Sequence, residues 1–432
     1  MCAFRSRQRP SRPVVRRESL LRLRSNGRRN RRNGVMEVRT ACSSAPGLAE
    51  ALEEVSLQLQ GFAPTVLVVA FNTVFSGEQL VSGLEARFGC IIAGCSSCKG
   101  ALCVVPDASS AYASHTNATL SLFAISDPQG HYGVGQHQLD PEDVQASAKS
   151  ALDMALYASG RGYESPAVIW CMLPPGQEEN IIAGFQSVVG ETVPILGGSS
   201  ADNDVSGKWQ QVSTLTAGHD HIVVLVLYPS RPLGYAFSSG YKPGPQVMTV
   251  TGCDGRQLNT LDHTPAAAVY NRLTGHTIDG FLQGGNVLAA STLHPLGRKV
   301  GAGDHYHEYL LSHPHTVTAE GAMTLFSEVS LGDELVLMEG SRDSLIHRAD
   351  RVLCNALDLL EEGARPKGVL MIYCAGCMLA IETDLTLMIN ELRRSHPHLP
   401  IMAMYTFGEQ GCFLDGKSRH GNLMISALVF SA

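Results

Sequence analysis

Three stretches of the chain repeat one pattern: an apolar segment, a helical segment with a polar face, a second apolar segment and a turn of small residues. The copies span residues 64–97, 166–200 and, more loosely, 366–409. Parallel strands need a crossover connection, usually a helix, so each copy predicts a parallel pair of strands. The repeats therefore predict an α/β fold, in which Gly and Ser at the strand ends let backbone amides approach a small molecule.

Two of the copies end in closely matching turns. Residues 94–97 are Gly-Cys-Ser-Ser, and residues 197–200 are Gly-Gly-Ser-Ser. Hydroxyls and free amides at such turns can grip a carboxylate or another polar group. The alternative is that small residues merely permit tight packing. Asp202, just after the second turn, either caps its loop or helps to bind a hard cation, although the EF-hand pattern is absent.

Charge is distributed unevenly along the 432 residues. Residues 1–35 contain twelve Arg and one acid, which leaves 21 basic and 39 acidic residues for the rest. Polyanions need a positive surface, so the globular part is not expected to bind nucleic acid. The length suffices for two or three domains, with a boundary near residue 230. Residues 281–345 are rich in Gly and His, with strand character only near 333–338.

The Arg-rich tail, residues 1–35, is expected to be disordered. Its composition is compatible with an organelle-targeting peptide, with an inert segment upstream of a true start at Met36, or with a basic binding arm. No run of about 18 apolar residues occurs, so no membrane span is expected. The twelve cysteines without a secretory segment favour reduced thiols in the cytoplasm.

Two cysteine pairs have C-x-x-C spacing, Cys95 with Cys98 and Cys374 with Cys377. Three hypotheses remain open for them. Both pairs together could form a four-thiolate zinc site, either pair could be redox-active, or all four could be structural thiols at strand ends.

Histidines cluster between residues 294 and 315. Neutral imidazole is the usual protein ligand of haem iron and of many transition metals, so His294, His305 and His307 are candidate haem ligands. Packed or surface histidines are the alternative.

Known nucleotide and nucleophile motifs are missing from the sequence. It has no Walker-type loop, no Gly-x-Gly-x-x-Gly after a strand and no Gly-x-Ser-x-Gly elbow. Glu409 and His420 could meet in space, but nothing in their spacing requires catalysis. We assign no catalytic residue and expect that the protein is not an enzyme.

The sequence resembles the FIST family. The motifs that carry the resemblance are residues 194–202 (PILGGSSAD), 373–377 (YCAGC), 406–411 (TFGEQG) and 294–298 (HPLGR), with the strand segments 234–241 and 422–424. The resemblance covers most of residues 60–432. The resemblance implies an α/β, two-domain FIST architecture built from repeated strand–helix–strand units with mixed, largely parallel sheets. A FIST N-type ligand-sensing domain would occupy residues 36–230, and a FIST C-type domain residues 231–432.

The resemblance also implies a sensory role. FIST domains bind small molecules such as amino acids. One bacterial branch, to which the C-terminal motifs are closest, binds haem b, senses nitric oxide and signals to histidine kinases or cyclic-di-nucleotide enzymes. Eukaryotic relatives join FIST to an F-box that recruits a ubiquitin ligase. Residues 1–60 show no F-box-like bundle, so we expect a stand-alone sensor whose output comes from a separate partner protein.

We therefore predict a FIST-type small-ligand sensor in cytoplasmic signal transduction, with haem-based nitric oxide sensing and a small polar metabolite as competing hypotheses. The alternatives are a thiol-dependent enzyme and a ligand-free scaffold or adaptor. The candidate ligand-binding residues are Gly94, Cys95, Ser96, Ser97, Gly197, Gly198, Ser199, Ser200, Asp202, Cys374, Cys377 and Glu409.

Overall fold

The computed structural model describes residues 35–106, 115–300 and 307–432. The predictions for the Arg-rich tail and for the candidate haem ligand His305 concern positions outside these ranges. Within them, no helix is both long enough and apolar enough to span a bilayer.

Helices and strands follow one another closely along the described chain. The helices are α1 (Leu48–Gln58), α2 (Gly77–Phe88), α3 (Val144–Ser159), α4 (Glu178–Val189), α5 (Ala266–Leu273), α6 (Leu288–Ser291), α7 (Arg342–Asp358), α8 (Ala375–Ala380) and α9 (Leu385–Ser395). The strands up to residue 238 are β1 (Glu37–Ser43), β2 (Val66–Phe71), β3 (Ile91–Ser96), β4 (Ala101–Val104), β5 (His115–Ala118), β6 (Leu120–Ser126), β7 (His131–Gln138), β8 (Val168–Leu173), β9 (Ile195–Ser199), β10 (Gln211–Ser213), β11 (Ala217–Gly218), β12 (His221–Tyr228) and β13 (Leu233–Ser238). The later strands are β14 (Lys242–Asp254), β15 (Gln257–Leu261), β16 (Thr264–Pro265), β17 (Gly285–Asn286), β18 (Leu296–Val300), β19 (Glu308–Ser312), β20 (Pro314–Val317), β21 (Met323–Leu325), β22 (Glu334–Glu339), β23 (Pro366–Cys374), β24 (Ile401–Thr406), β25 (Gly408–Cys412), β26 (Ser418–Gly421) and β27 (Ile425–Ser431).

Each predicted repeat forms a parallel pair of strands, which confirms the α/β class. β2 pairs with β3, β8 with β9 and β23 with β24. The crossover is α2 in the first unit, α4 in the second, and α8 with α9 in the third. An antiparallel strand flanks the first member of each pair: β6 beside β2, β12 beside β8, and β27 beside β23. The sheets are therefore mixed, and the parallel pairing lies in the repeated units.

The three units exchange strands in a cycle. The strand that follows each parallel pair joins the sheet of another unit. β4 follows β3 and pairs with β24, β10 follows β9 and pairs with β3, and β25 follows β24 and pairs with β9. The resulting sheets are the first (β1-β6-β2-β3-β10-β11), the second (β26-β25-β9-β8-β12-β7) and the third (β13-β27-β23-β24-β4-β5). Because each sheet contains a strand that follows another unit, the N- and C-terminal halves share backbone hydrogen bonds.

The inner faces of these sheets meet in a common core. Successive strand residues point to opposite faces, so Val68 of β2 faces the common core while Leu67 and Val69 face the helices outside. Trp170 of β8 and Ile372 of β23 occupy the same core and are wholly buried. Burial on both faces explains why these strands are unbroken apolar runs in the sequence.

Helices and a fourth sheet cover the outside. α1 and α2 pack on the first sheet, α3 and α4 on the second, and α7 to α9 on the third. The fourth sheet has the order β17-β20-β21-β15-β14-β22-β18-β19, with β16 beside β15, and encloses a separate core with α5. The predicted strand near residues 333–338 is β22. The other strands within residues 281–345, β17 to β21, were not predicted, because they are short and interrupted by Gly, Pro and His.

Candidate functional site

The turns that end the three units lie together. Three backbone hydrogen bonds join them in a closed ring: Ala201 N to Ser96 O at 3.1 Å, Phe407 N to Ser199 O at 3.0 Å, and Cys98 N to Tyr405 O at 3.0 Å. The carboxyl ends of all three parallel pairs thus meet at one place. This is where α/β sheets hold ligands.

The hydroxyls of the two predicted turns have partners within the protein. Ser96 Oγ accepts from Gln210 N at 2.9 Å, Ser97 Oγ donates to Gly100 O, Ser199 Oγ donates to Glu178 Oε1 at 2.6 Å, and Ser200 Oγ donates to Leu173 O at 3.1 Å. Residues 94–97 and 197–200 are all buried. A Cβ on Gly198 would lie 2.6 Å from Thr406 Cγ2, so close approach of the units requires a small residue. Ligand binding at these turns stays a prediction, while packing accounts for their composition.

Asp202 organises the loop after the second turn. Its carboxylate accepts hydrogen bonds from the backbone N–H groups of Asp204, Val205 and Lys208 at 3.2, 2.6 and 2.7 Å. These donors occupy both oxygens, which is the geometry of a loop cap.

A buried ionic network lies beside Ser199, and sequence reasoning missed it. Glu178 accepts from Ser199 Oγ and, at 2.6 Å, from Arg256 Nη2, while His420 Nε2 lies 3.9 Å from its carboxylate. Burial raises the pKa of Glu178, but the charges of His420 and Arg256 and the hydrogen bonds from Ser199 and Arg256 outweigh it and hold the pKa at about 2. The only sequence signal was an acid in the first turn of a helix, which is commonplace.

Cys374 and Cys377 lie where the third parallel pair ends. Cys374 is the last residue of β23, Cys377 follows in α8, and both are buried. Burial, followed by the hydrogen bond and charge of Cys377, raises the pKa of Cys374 well above its usual value. Burial also opposes ionisation of Cys377, but the hydrogen bond with Cys374, the charge of Arg348 and the hydrogen bond with Tyr241 bring its pKa below the usual value. Of the two thiols, Cys377 is therefore the one that ionises more easily.

Arg348 is a wholly buried cation next to this pair. Its hydrogen bonds among the described residues go to the backbone carbonyls of Ser239, Leu423 and Met424, and its Nε has no partner among them. A buried charge is expensive unless an opposite charge lies close by. The arrangement therefore favours an anion, which Cys377 supplies when it ionises.

Glu409 joins the same cluster from β25. Its carboxyl accepts from Thr406 Oγ1 at 3.2 Å and from Met424 N at 3.0 Å. Burial, followed by the charge of Cys374, raises the pKa of Glu409 well above its usual value. Cys374 and Cys377 were predicted from one motif and Glu409 from another, and their mutual electrostatic interactions indicate that the fold brings them together.

The first cysteine pair consists of ordinary buried thiols. Burial raises the pKa of Cys95 and of Cys98 to about 12 in each case. Among the described residues, the side-chain groups placed to hold a metal ion include neither C-x-x-C pair. The geometry therefore gives no support to a four-thiolate zinc site.

A cleft with a volume of about 430 Å³ opens beside Arg348. It lies between residues 237–241, residues 307–309 and residues 348–355 of α7. Arg351 and Glu308 place opposite charges on its walls, and Phe413 adds apolar surface. Its size is in the range of small-molecule sites, about 300–1,000 Å³.

Comparison with known families identifies both halves of the chain. The FIST N domain model matches residues 66–264, and the FIST C domain model matches residues 266–412. The chain belongs to the FIST family. FIST domains are in general small-ligand sensors of signal transduction. No curated protein matches the chain.

Two solved structures show a distant likeness to this FIST protein. A cyanuric acid hydrolase from A. caulinodans is 10% identical with a TM-score of 0.35, over 91% of this chain and 98% of that one. A second structure, titled as a cyanuric acid hydrolase that arose by structural concatenation, is 8% identical with a TM-score of 0.34 over the same shares. Likeness at this level has no bearing on activity.

The described residues of this FIST protein fit a haem group only in part. His307 is exposed and lines the cleft, whereas His294 lies elsewhere, with its Nδ1 buried and without a hydrogen-bond partner among the described residues. An imidazole at the cleft is a suitable axial donor. The charged walls of the cleft, however, suit a polar ligand better than an apolar macrocycle.

Proposed function

We propose that this FIST protein senses a small polar metabolite of amino-acid type in the cleft beside Arg348. The observation that carries the proposal is the pairing of opposite charges, Arg351 and Glu308, around a cavity of the right size. An amino acid presents a carboxylate to a guanidinium and an ammonium to a carboxylate, so both of its charges find a partner. Asn355, also on the wall, adds an amide for hydrogen bonding.

The cleft is connected to the buried thiols through Tyr241. This residue lines the cleft, and its hydroxyl donates to Thr292 O at 2.8 Å and lies 3.4 Å from Cys377 Sγ. A ligand that prefers one position of Tyr241 would shift the protein between two states, which is all that a sensor requires. The output would pass to a separate cytoplasmic partner, which by family analogy is a histidine kinase, a cyclic-di-nucleotide enzyme or a ubiquitin-ligase component.

The test is a thermal-shift screen of the proteinogenic amino acids and small carboxylic acids. A ligand present at a hundred times its Kd stabilises the folded state by about 2.7 kcal/mol. We expect saturable stabilisation by compounds of one chemical class. Arg351→Met should raise the Kd for these compounds at least about tenfold, which is about 1.4 kcal/mol of binding free energy. Arg393→Met is the matched control, because Arg393 is an exposed arginine in a different recess, on α9. Equal binding by both variants would contradict the site.

Haem-based nitric oxide sensing is the second candidate, and His307 at the cleft favours it. It predicts a stoichiometric Soret band in protein made with a haem supply, a shift of the band with nitric oxide, and loss of the band in His307→Ala or His294→Ala. A colourless protein that cannot be reconstituted with haem would exclude it.

Thiol chemistry at Cys377 is the third candidate function, and the adjacent cation of Arg348 favours it. An enzyme of this kind predicts selective alkylation of Cys377 at neutral pH. A ligand-free scaffold predicts neither stabilisation nor selective labelling. We favour sensing without catalysis, because Cys377 is fully buried.

A further inference from the structure

Polar side chains line the seam between α7 and α9, on the outside of the third sheet. The residues of this seam are Asp343, His347, Asp350 and Cys354 on α7, and Glu391 and His396 at α9. Spacings of four, three and four residues place the α7 members on one helix face. Two histidine–carboxylate pairs cross the seam: His347 Nδ1 lies 2.7 Å from Glu391, and His396 Nε2 lies 3.0 Å from Asp350.

Only the second pair has a thiol beside it. Asp350 and Cys354 are four residues apart on α7, and His396 immediately follows the last residue of α9. The backbone N–H of His396 donates to Leu392 O at 2.9 Å, which fixes the backbone from which the imidazole extends. One carboxylate oxygen, one sulfur and one ring nitrogen of the three residues all lie within 4.8 Å of one another.

This donor set has the chemistry of a zinc site. Two ligands at i and i+4 of a helix, with a third from a neighbouring element, is a recurrent zinc arrangement. Zinc bonds of about 2.0–2.3 Å put tetrahedral ligand atoms about 3.3–3.8 Å apart, so side-chain movements of about 1 Å would close the site. Mixed sulfur, nitrogen and oxygen donors suit zinc and are unsuited to magnesium or calcium, which prefer oxygen alone.

Among the described residues, no lysine or arginine forms an ion pair with Asp350, whose partner is His396. The side chains of His396 and Asp350 are only 13% and 19% exposed, so little water solvates them. Asp358, one turn further along α7, adds negative charge near the thiol. The other three-ligand group of the described residues, Glu178, Glu179 and His420, differs because Arg256 already neutralises both of its carboxylates.

We infer that Asp350, Cys354 and His396 bind one zinc ion, with an exchangeable fourth ligand. Asp350 and Cys354 both line the 430 Å³ cleft, so the fourth position is accessible from it. Three protein ligands and one open position are the pattern of zinc sites that bind water or a small molecule. The inference stands apart from the proposed metabolite, whose partners are Arg351 and Glu308.

The test is metal binding by the full-length, tag-free protein after chelation and dialysis. Zinc affinity is measured by competition with a chromophoric chelator, and cobalt(II) is used as a spectroscopic substitute. We expect one zinc per chain and a cobalt spectrum with tetrahedral d–d bands and a thiolate charge-transfer band. X-ray absorption of the zinc-loaded wild type should show one sulfur among nitrogen or oxygen ligands, and this result does not depend on any variant folding.

Variants locate the site. Cys354→Ser should abolish the thiolate band, and Cys354→Ser and His396→Gln should each weaken zinc binding at least about tenfold. His347→Gln is the matched control, because His347 forms the other histidine–carboxylate pair of the seam. Cys374→Ser controls for the buried thiols; both controls should keep wild-type zinc affinity. Absence of stoichiometric zinc from the wild type, or zinc ligation without sulfur, would overturn the inference.

Discussion

The guanidinium of Arg348 lies over the ring of Tyr373, 4.7 Å from its centroid, with both side chains wholly buried. Tyr373 is fixed in turn, because its hydroxyl donates to Leu345 O at 2.8 Å. A desolvated cation–π contact contributes about 2 kcal/mol, which offsets part of the expense of burying the charge. The pair thus joins α7 to β23 and presents a permanent cation to Cys377.

The first prediction concerns this cation. Arg348→Met nearly preserves the apolar part of the side chain but removes the charge, so the pKa of Cys377 should rise. The pH titration of the Cys377 thiolate by its ultraviolet absorbance, taken as the difference between the folded protein and its Cys377→Ser variant, should move to higher pH. Arg351→Met removes an exposed arginine of the same helix and should leave the profile unchanged. An unaltered profile in Arg348→Met would show that Arg348 does not activate the thiol.

The second prediction concerns acid stability at the Glu178 network. The folded-state pKa of Glu178, about 2, lies below the ordinary value of 4.5. Its stabilisation is therefore complete above about pH 4.5 and is lost as the pH falls towards 2, where the carboxylate protonates in both states. A pKa shift of this size corresponds to a contribution on the order of 3 kcal/mol to the free energy of unfolding at neutral pH. Urea unfolding of Glu178→Gln should show that loss near neutral pH and a flatter pH dependence below 4.5.

Glu179→Gln is the control for that experiment. Glu179 also contacts Arg256, but its side chain is 25% exposed against 3% for Glu178. It should lose much less stability, because solvent screens the pair. Equal losses in the two variants would mean that burial of Glu178 has little energetic effect.

The third prediction concerns His313, which lies in the fold as a neutral imidazole. Burial lowers the pKa of His313 from 6.5 to about 4, and its Nε2 donates to Leu288 O at 3.0 Å. Between these pH values the unfolded chain binds more protons, so stability should be complete above about pH 6.5 and should fall as the pH drops towards 4. His313→Gln should remove this component from the pH dependence of urea unfolding. A pH slope between 6.5 and 4 that is as steep in the variant as in the wild type would contradict it.

The fourth prediction concerns the contact between the second and third units. A Cβ on Gly198 would lie 2.6 Å from Thr406 Cγ2 and 3.0 Å from Ile372 Cγ2. Gly198→Ala should therefore destabilise the protein by about 1–3 kcal/mol, the usual range for overpacking. Gly376→Ala is the control, since its nearest neighbour would be at an ordinary 3.5 Å. Chemical denaturation that ranks the two variants equally would argue against tight packing at the junction.

The repeats made much of the fold predictable from the sequence. Local patterns determine β2, β8 and β23, because strands buried on both faces are unbroken apolar runs. The exchange of β4, β10 and β25 between sheets was not predictable, since a strand pattern does not specify its partner. β1 (Glu37–Ser43) was also missed, because its mixed sequence EVRTACS resembles a terminal segment.

Only part of the candidate site could be predicted from the sequence, for a related reason. Cys374, Cys377 and Glu409 stood out in the C-terminal motifs, and the fold groups them. Arg348 lies on a helix with many charges, where nothing marks one arginine as buried, and the Asp350–Cys354–His396 group spans two helices. Such constellations arise from tertiary packing and leave no spacing signal in one sequence.

The most direct test of the central claim is equilibrium dialysis of the full-length protein against a mixture of amino acids and small carboxylic acids, with mass spectrometry of the retained compounds. We predict that one chemical class is retained at about one molecule per chain, that Arg351→Met loses it, and that Arg393→Met keeps it. If the wild type retains no compound above the dialysate level, or if Arg351→Met retains as much as the wild type, the cleft beside Arg348 is not the sensory site.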